Sequence, residues 1–83
     1  MEFSKLKSED KDKMNELNRK NGYGLTKKQL INLVNQHKKA DEYNKALIEY
    51  RLTDINFHSD VGLLERGKYD EAMKLIEKTY AGL

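Results

Sequence analysis

From Tyr43 to Leu64 the chain repeats one spacing. Tyr43, Leu47, Tyr50, Asp54, Phe57, Val61 and Leu64 follow at alternating intervals of four and three residues, and Asp54 is the one polar member. That period belongs to an α-helix, because strand side chains alternate faces with a period of two. A second stripe, Ile48, Leu52, Ile55 and Leu63, runs beside the first. The predicted helix is therefore apolar over a wide arc, enough for two neighbours. Asp41 supplies an N-cap and Gly67 a stop, so a continuous helix over 41–66 would be about 39 Å long at 1.5 Å per residue. Thr53-Asp54 and Ser59-Asp60 are the two places where cap-forming residues could interrupt it. Asp54 is expected inside the buried seam.

The remaining apolar residues keep the helical period. Leu30, Leu33, Val34 and His37 share one face of a helix over 27–39, with Ile31 widening the stripe. Thr26 and Gln29 fit a capping box, and Leu25 with Leu30 fits the apolar staple beside it. Gly22 stands where a left-handed residue closes a preceding helix. That first helix is expected from Ser8, read as its cap, to about Lys20, with Met14 and Leu17 as its firm apolar contacts. Residues 1–7 read as a loose arm anchored by Phe3 and Leu6. A last helix over 68–80 carries Tyr69, Ala72, Met73, Ile76 and Tyr80 on one stripe. No alternating β-branched run of useful length occurs. The prediction is one all-α domain over 1–83: a small bundle of about four helices, with the 27–39 helix packed across a C-terminal antiparallel hairpin and the first helix peripheral.

"LLERGKYDEAMKLIEK", Leu63 to Lys78, looks like the turn and second helix of a tetratricopeptide unit, with Gly67, Tyr69 and Ala72 at that repeat's spacing and Ile76 following. The resemblance covers a single unit and implies only the antiparallel helical hairpin.

Eighty-three residues bury too little surface for a wide stability margin. The absence of cysteine excludes disulfides and thiolate metal sites. No apolar run approaches the ~18 residues of a membrane span, and the N-terminus lacks a signal-peptide core. A soluble cytoplasmic protein is expected.

Candidate chemistry is sparse. Asp54 and His58, four residues apart, would share a helix face, but a third metal ligand is hard to find. The pairs Asp41-Glu42 and Asp70-Glu71 stand at helix starts, where dipole complementation accounts for them. No serine sits in a recognisable nucleophile context. No enzymatic activity, cofactor or metal is expected.

Charge is uneven. Residues 1–39 carry +5 and residues 40–83 carry −3, giving the net +2. Two contact functions follow. The favoured one is a non-enzymatic protein-interaction module, an adaptor or inhibitor, of the accessory type that size and composition associate with phages and mobile elements. Its anchors would be Tyr23, Tyr43, Tyr50, Phe57 and Tyr80, since aromatic residues dominate interfaces. Surplus apolar surface on the middle helix would be covered by a target protein or in a homodimer. The second reading is nucleic-acid binding by the basic helix-corner-helix, through Arg19, Lys20, Lys27, Lys28, Lys38 and Lys39. Neither involves a membrane.

Overall fold

The computed structural model of the chain describes residues 3–55 and 61–80. Among them are five α-helices and no strand: α1 (Ser8–Lys20), α2 (Lys27–Lys39), α3 (Glu42–Thr53), α4 (Val61–Glu65) and α5 (Tyr69–Thr79). The small helical bundle expected from the periodicity is the fold.

Local chemistry explains the helix ends. Thr26 caps α2: its hydroxyl accepts from the Gln29 amide at 3.1 Å, and the Gln29 side chain accepts from the Thr26 amide at 2.9 Å. Asp41 caps α3 by accepting from the Asn44 amide at 2.8 Å. At the end of α1, the Tyr23 amide donates to the Asn18 carbonyl and the Gly22 amide to Arg19. At the end of α4, the Lys68 amide donates to Leu63 and the Gly67 amide to Leu64. Both are Schellman endings, and both place a glycine in the left-handed region, Gly22 at φ +63 and Gly67 at φ +71. Ser8 does not cap α1. It is the first helical residue, and Lys7 holds the cap position without a side-chain bond.

The long helix does not form. α3 stops at Thr53, whose hydroxyl bonds back to the Glu49 carbonyl at 2.7 Å. Asp54 is the C-cap at φ −99, and it is exposed, not buried in a seam. The physical reason is length. A straight rod of about 39 Å would run well past α2 and α5, which have 13 and 11 residues. Ending the helix at Thr53 brings Leu52 and Ile55 into the same buried core as Val61 and Leu64. Phe57, His58, Ser59, Asp60 and Leu83 lie outside the described residues.

That core also contains Leu25, Leu30, Leu33 and Val34 from the second helix and the corner before it, and Ala72 and Ile76 from α5. α2 packs on α5 and α3, and α4 bridges α3 and α5. α1 is peripheral, as expected: it packs mainly against α3 and gives no side chain to the apolar core. Its buried anchor is Asn18, at 1% exposure, whereas Leu17 stays 38% exposed. The arm is pinned at both expected anchors. Phe3 stacks edge-on against Tyr50 with ring centres 5.4 Å apart, and Leu6 is buried. No helix among the described residues is long and apolar enough to cross a membrane.

Candidate functional site

α3 is mostly half-buried, with Glu42, Asn44 and Thr53 its exposed residues. Of its 12 residues only Leu52 is buried, while Tyr43, Ala46, Leu47, Ile48 and Tyr50 are half-buried. It forms a ridge between two grooves.

The first groove, of about 560 Å³, lies between the N-terminal arm, α3 and the start of α5. His37, Glu49 and Tyr69 line it. They come from α2, α3 and α5. His37 Nε2 lies 2.7 Å from the Glu49 carboxylate, and its Nδ1 lies 2.9 Å from the Tyr69 hydroxyl. A carboxylate can only accept, so Nε2 carries a hydrogen, while the tyrosine hydroxyl can donate to or accept from Nδ1. Every polar atom of the imidazole is thus satisfied although the residue is 1% exposed. The three side chains tie three helices together, which accounts for a histidine closing the apolar stripe of α2. Tyr43 stands at the rim. Its hydroxyl donates to Asp10 and accepts from the Lys7 amide. The bond to the Asp10 carboxylate is the main reason its pKa is raised above the usual 10.0.

The second groove, of about 660 Å³, lies between α1, α2 and α3. Its apolar floor is Met14, Leu17, Leu33, Leu47 and Ile48, and Gln36, Lys39, Asp41, Asn44 and Arg51 rim it. Arg51 is held by Asn18, whose side-chain oxygen accepts from its Nε at 3.3 Å. Partial burial lowers the arginine's pKa from its usual value, but guanidinium remains charged at neutral pH.

The anchors predicted from the sequence do not converge. Tyr50 donates to Asn15 Oδ1 at 3.1 Å, and Tyr80 donates to the Leu25 carbonyl at 3.0 Å. Both, like Tyr43, therefore fasten the fold. Tyr23 is 52% exposed at the α1–α2 corner, in the left-handed region at φ +59. Of the four described anchors only Tyr43 lines either groove. Among the basic residues, Arg19 pairs with Glu16, and Lys27 pairs with Glu77 at 2.7 Å. Lys20, Lys28, Lys38 and Lys39 are exposed.

Leu17, Leu47 and Arg51 were not singled out as site residues by sequence reasoning. The signal was present for Leu17 alone, since an apolar residue on a helix with few others has little core to join. No group of three or more acidic or histidine side chains that could hold a metal ion occurs among the described residues. Set against family models, curated proteins and solved structures, the chain matches none.

Proposed function

We propose that this chain is a non-enzymatic, cytoplasmic protein-interaction module, an adaptor or inhibitor, that receives an amphipathic helix of another protein in the groove between α1, α2 and α3. One observation carries the reading: α3 leaves its apolar side chains half-covered, and Leu17 stands 38% exposed on the groove's floor. Among the described residues Leu17 and Tyr23 are the only large apolar side chains exposed to that degree. Helix-in-groove recognition uses this arrangement, an apolar trough for one face of the incoming helix and polar side chains at the rim. The rim brings Lys39 and Arg51 together with one carboxylate, Asp41, which accepts from the Asn44 amide, and this net positive rim suits a helix with acidic flanks.

Site-specific photo-crosslinking tests it. A photoreactive residue at position 17 is expected to give a covalent adduct with one protein in cells. The same residue at Lys74, exposed on α5, is expected to give none. Identical adducts at both positions, or none at 17, would remove the reading. A self-adduct at 17 would make the occupant a second copy of the chain.

A further inference from the structure

The outward face of α2 has a composition that the docking groove does not require. The helix contains no acidic residue. Lys28, Asn32, Asn35 and Lys39 fall at i, i+4, i+7 and i+11, so they form one stripe, and all four are exposed. Gln29 and Gln36 flank it and are also exposed. Gln29, Asn32, Gln36 and Arg51 surround a shallow notch of about 180 Å³. The lysines of the stripe enter no ion pair among the described residues. Asp41, the nearest acidic residue in sequence, turns its carboxylate onto the start of α3 and accepts from the Asn44 amide and side chain.

The order along the stripe is cation, amide, amide, cation. Eleven residues of helix place the two lysines about 16 Å apart. That exceeds the ~12 Å width of a B-form major groove, which admits one α-helix. A helix seated there with its lysines at the two ends reaches phosphates on both walls, while amides at its centre face base edges. Asparagine and glutamine are the side chains that pair with adenine, and arginine the one that pairs with guanine. A face evolved only for solubility would mix both signs of charge. We infer that α2 is a duplex-DNA-contacting helix, with Lys28 and Lys39 on phosphates and Asn32 and Asn35 toward the bases. The stripe meets the protein-docking groove at Lys39, which rims it. The stripe faces outward, and Lys28, Asn32 and Asn35 do not line that groove.

The test is a fluorescence-anisotropy titration of the full chain against a mixed-sequence 20-base-pair DNA duplex over ~50–200 mM salt. Binding is expected to weaken steeply with salt. In Lys28→Gln/Lys39→Gln the log–log salt slope should fall by about 1.8, the loss of two phosphate contacts at about 0.9 each. Lys74→Gln/Lys78→Gln, the same charge change on exposed residues of α5, should leave the slope unchanged. Selection from a randomised duplex pool should return a preferred sequence, and Asn32→Ala/Asn35→Ala should flatten it while the salt slope stays. No binding at ~50 mM salt would overturn the inference. So would an equal loss in the α5 variant, which would make the interaction diffuse charge. Equal affinity for an RNA duplex would do so too, since its major groove is too narrow for a helix. All of these residues are exposed, so folding of each variant is checked by circular dichroism before titration.

Discussion

The side-chain amide of Asn18 on α1 donates to the main-chain carbonyl of Arg51 on α3 at 2.9 Å, and its oxygen accepts from the Arg51 guanidinium at 3.3 Å. Two helices joined at this point are therefore held by a reciprocal polar clamp with Asn18 at 1% exposure. Removing the side-chain amide would take from the Arg51 carbonyl the partner that Asn18 supplies. Asn18→Ala is expected to cost about 2–3 kcal/mol, the penalty for a buried unsatisfied group added to the lost bond. Urea denaturation measures it. Hydrogen exchange should rise first in α1, whose packing depends on α3. Unchanged α1 protection would show that the clamp does not hold the helix.

The His37 interlock predicts a graded series. His37→Ala leaves the Glu49 carboxylate, 13% exposed, without its partner and opens space between three helices. The expected loss is about 2–4 kcal/mol, from a lost hydrogen bond to a carboxylate and the space left by the ring. Tyr69→Phe removes only a hydroxyl and should cost about 1 kcal/mol. Denaturant midpoints that fall in the order wild type, Tyr69→Phe, His37→Ala would support the interlock. Equal effects would contradict it.

Tyr23 holds a left-handed backbone at φ +59, where a Cβ crowds the following carbonyl. Its side chain is 52% exposed and has little packing to lose. Tyr23→Gly is therefore expected to stabilise the fold by about 1 kcal/mol, a direction opposite to most substitutions. A rise in thermal midpoint of several degrees checks this. A fall would mean that the ring makes contacts that offset the strain.

Tyr43 gives the fold an alkaline limit. Its pKa is raised in the folded state, first by the bond to Asp10, with burial and the charges of Asp10 and Glu9 adding to it, against the opposing Lys7 amide. A group whose folded pKa lies above its unfolded value stabilises fully below the unfolded pKa. That contribution is lost as pH rises through the folded one, because the unfolded chain releases the proton first. Stability should therefore decline above pH 10.0, the ordinary value for tyrosine. Tyr43→Phe should show a shallower decline than wild type when midpoints are compared at pH 9 and 11. Parallel curves would show that the Asp10 bond does not set the limit.

The helix ends were legible because they depend on neighbours in sequence. Thr26 with Gln29, Asp41, Gly22 and Gly67 each act within five residues of themselves. The buried stripe of α2, with His37 on it, was legible for the same reason. Asp54 was misplaced because periodicity alone cannot tell a helix that continues from two that share a phase. The difference lay in the core, which gathers Leu52 and Ile55 with Val61 and Leu64 beyond the end of α3. The grooves were not legible at all. Leu17 and Leu47 are 30 residues apart, and nothing in their spacing indicates that α1 lies against α3.

By itself the sequence determined the helical class, the end of α1, the boundaries of α2, the two glycine closures and the acid-free composition of α2, because these follow from bonds and periods within one or two turns. Only the tertiary structure decided that the middle rod breaks, that Asn18 rather than Met14 or Leu17 anchors α1, and that Tyr43, Tyr50 and Tyr80 hydrogen-bond across elements of the fold. Those outcomes depend on which long-range pairs satisfy buried polar groups and fill the core together. That is a property of the packed set of helices and not of any one of them.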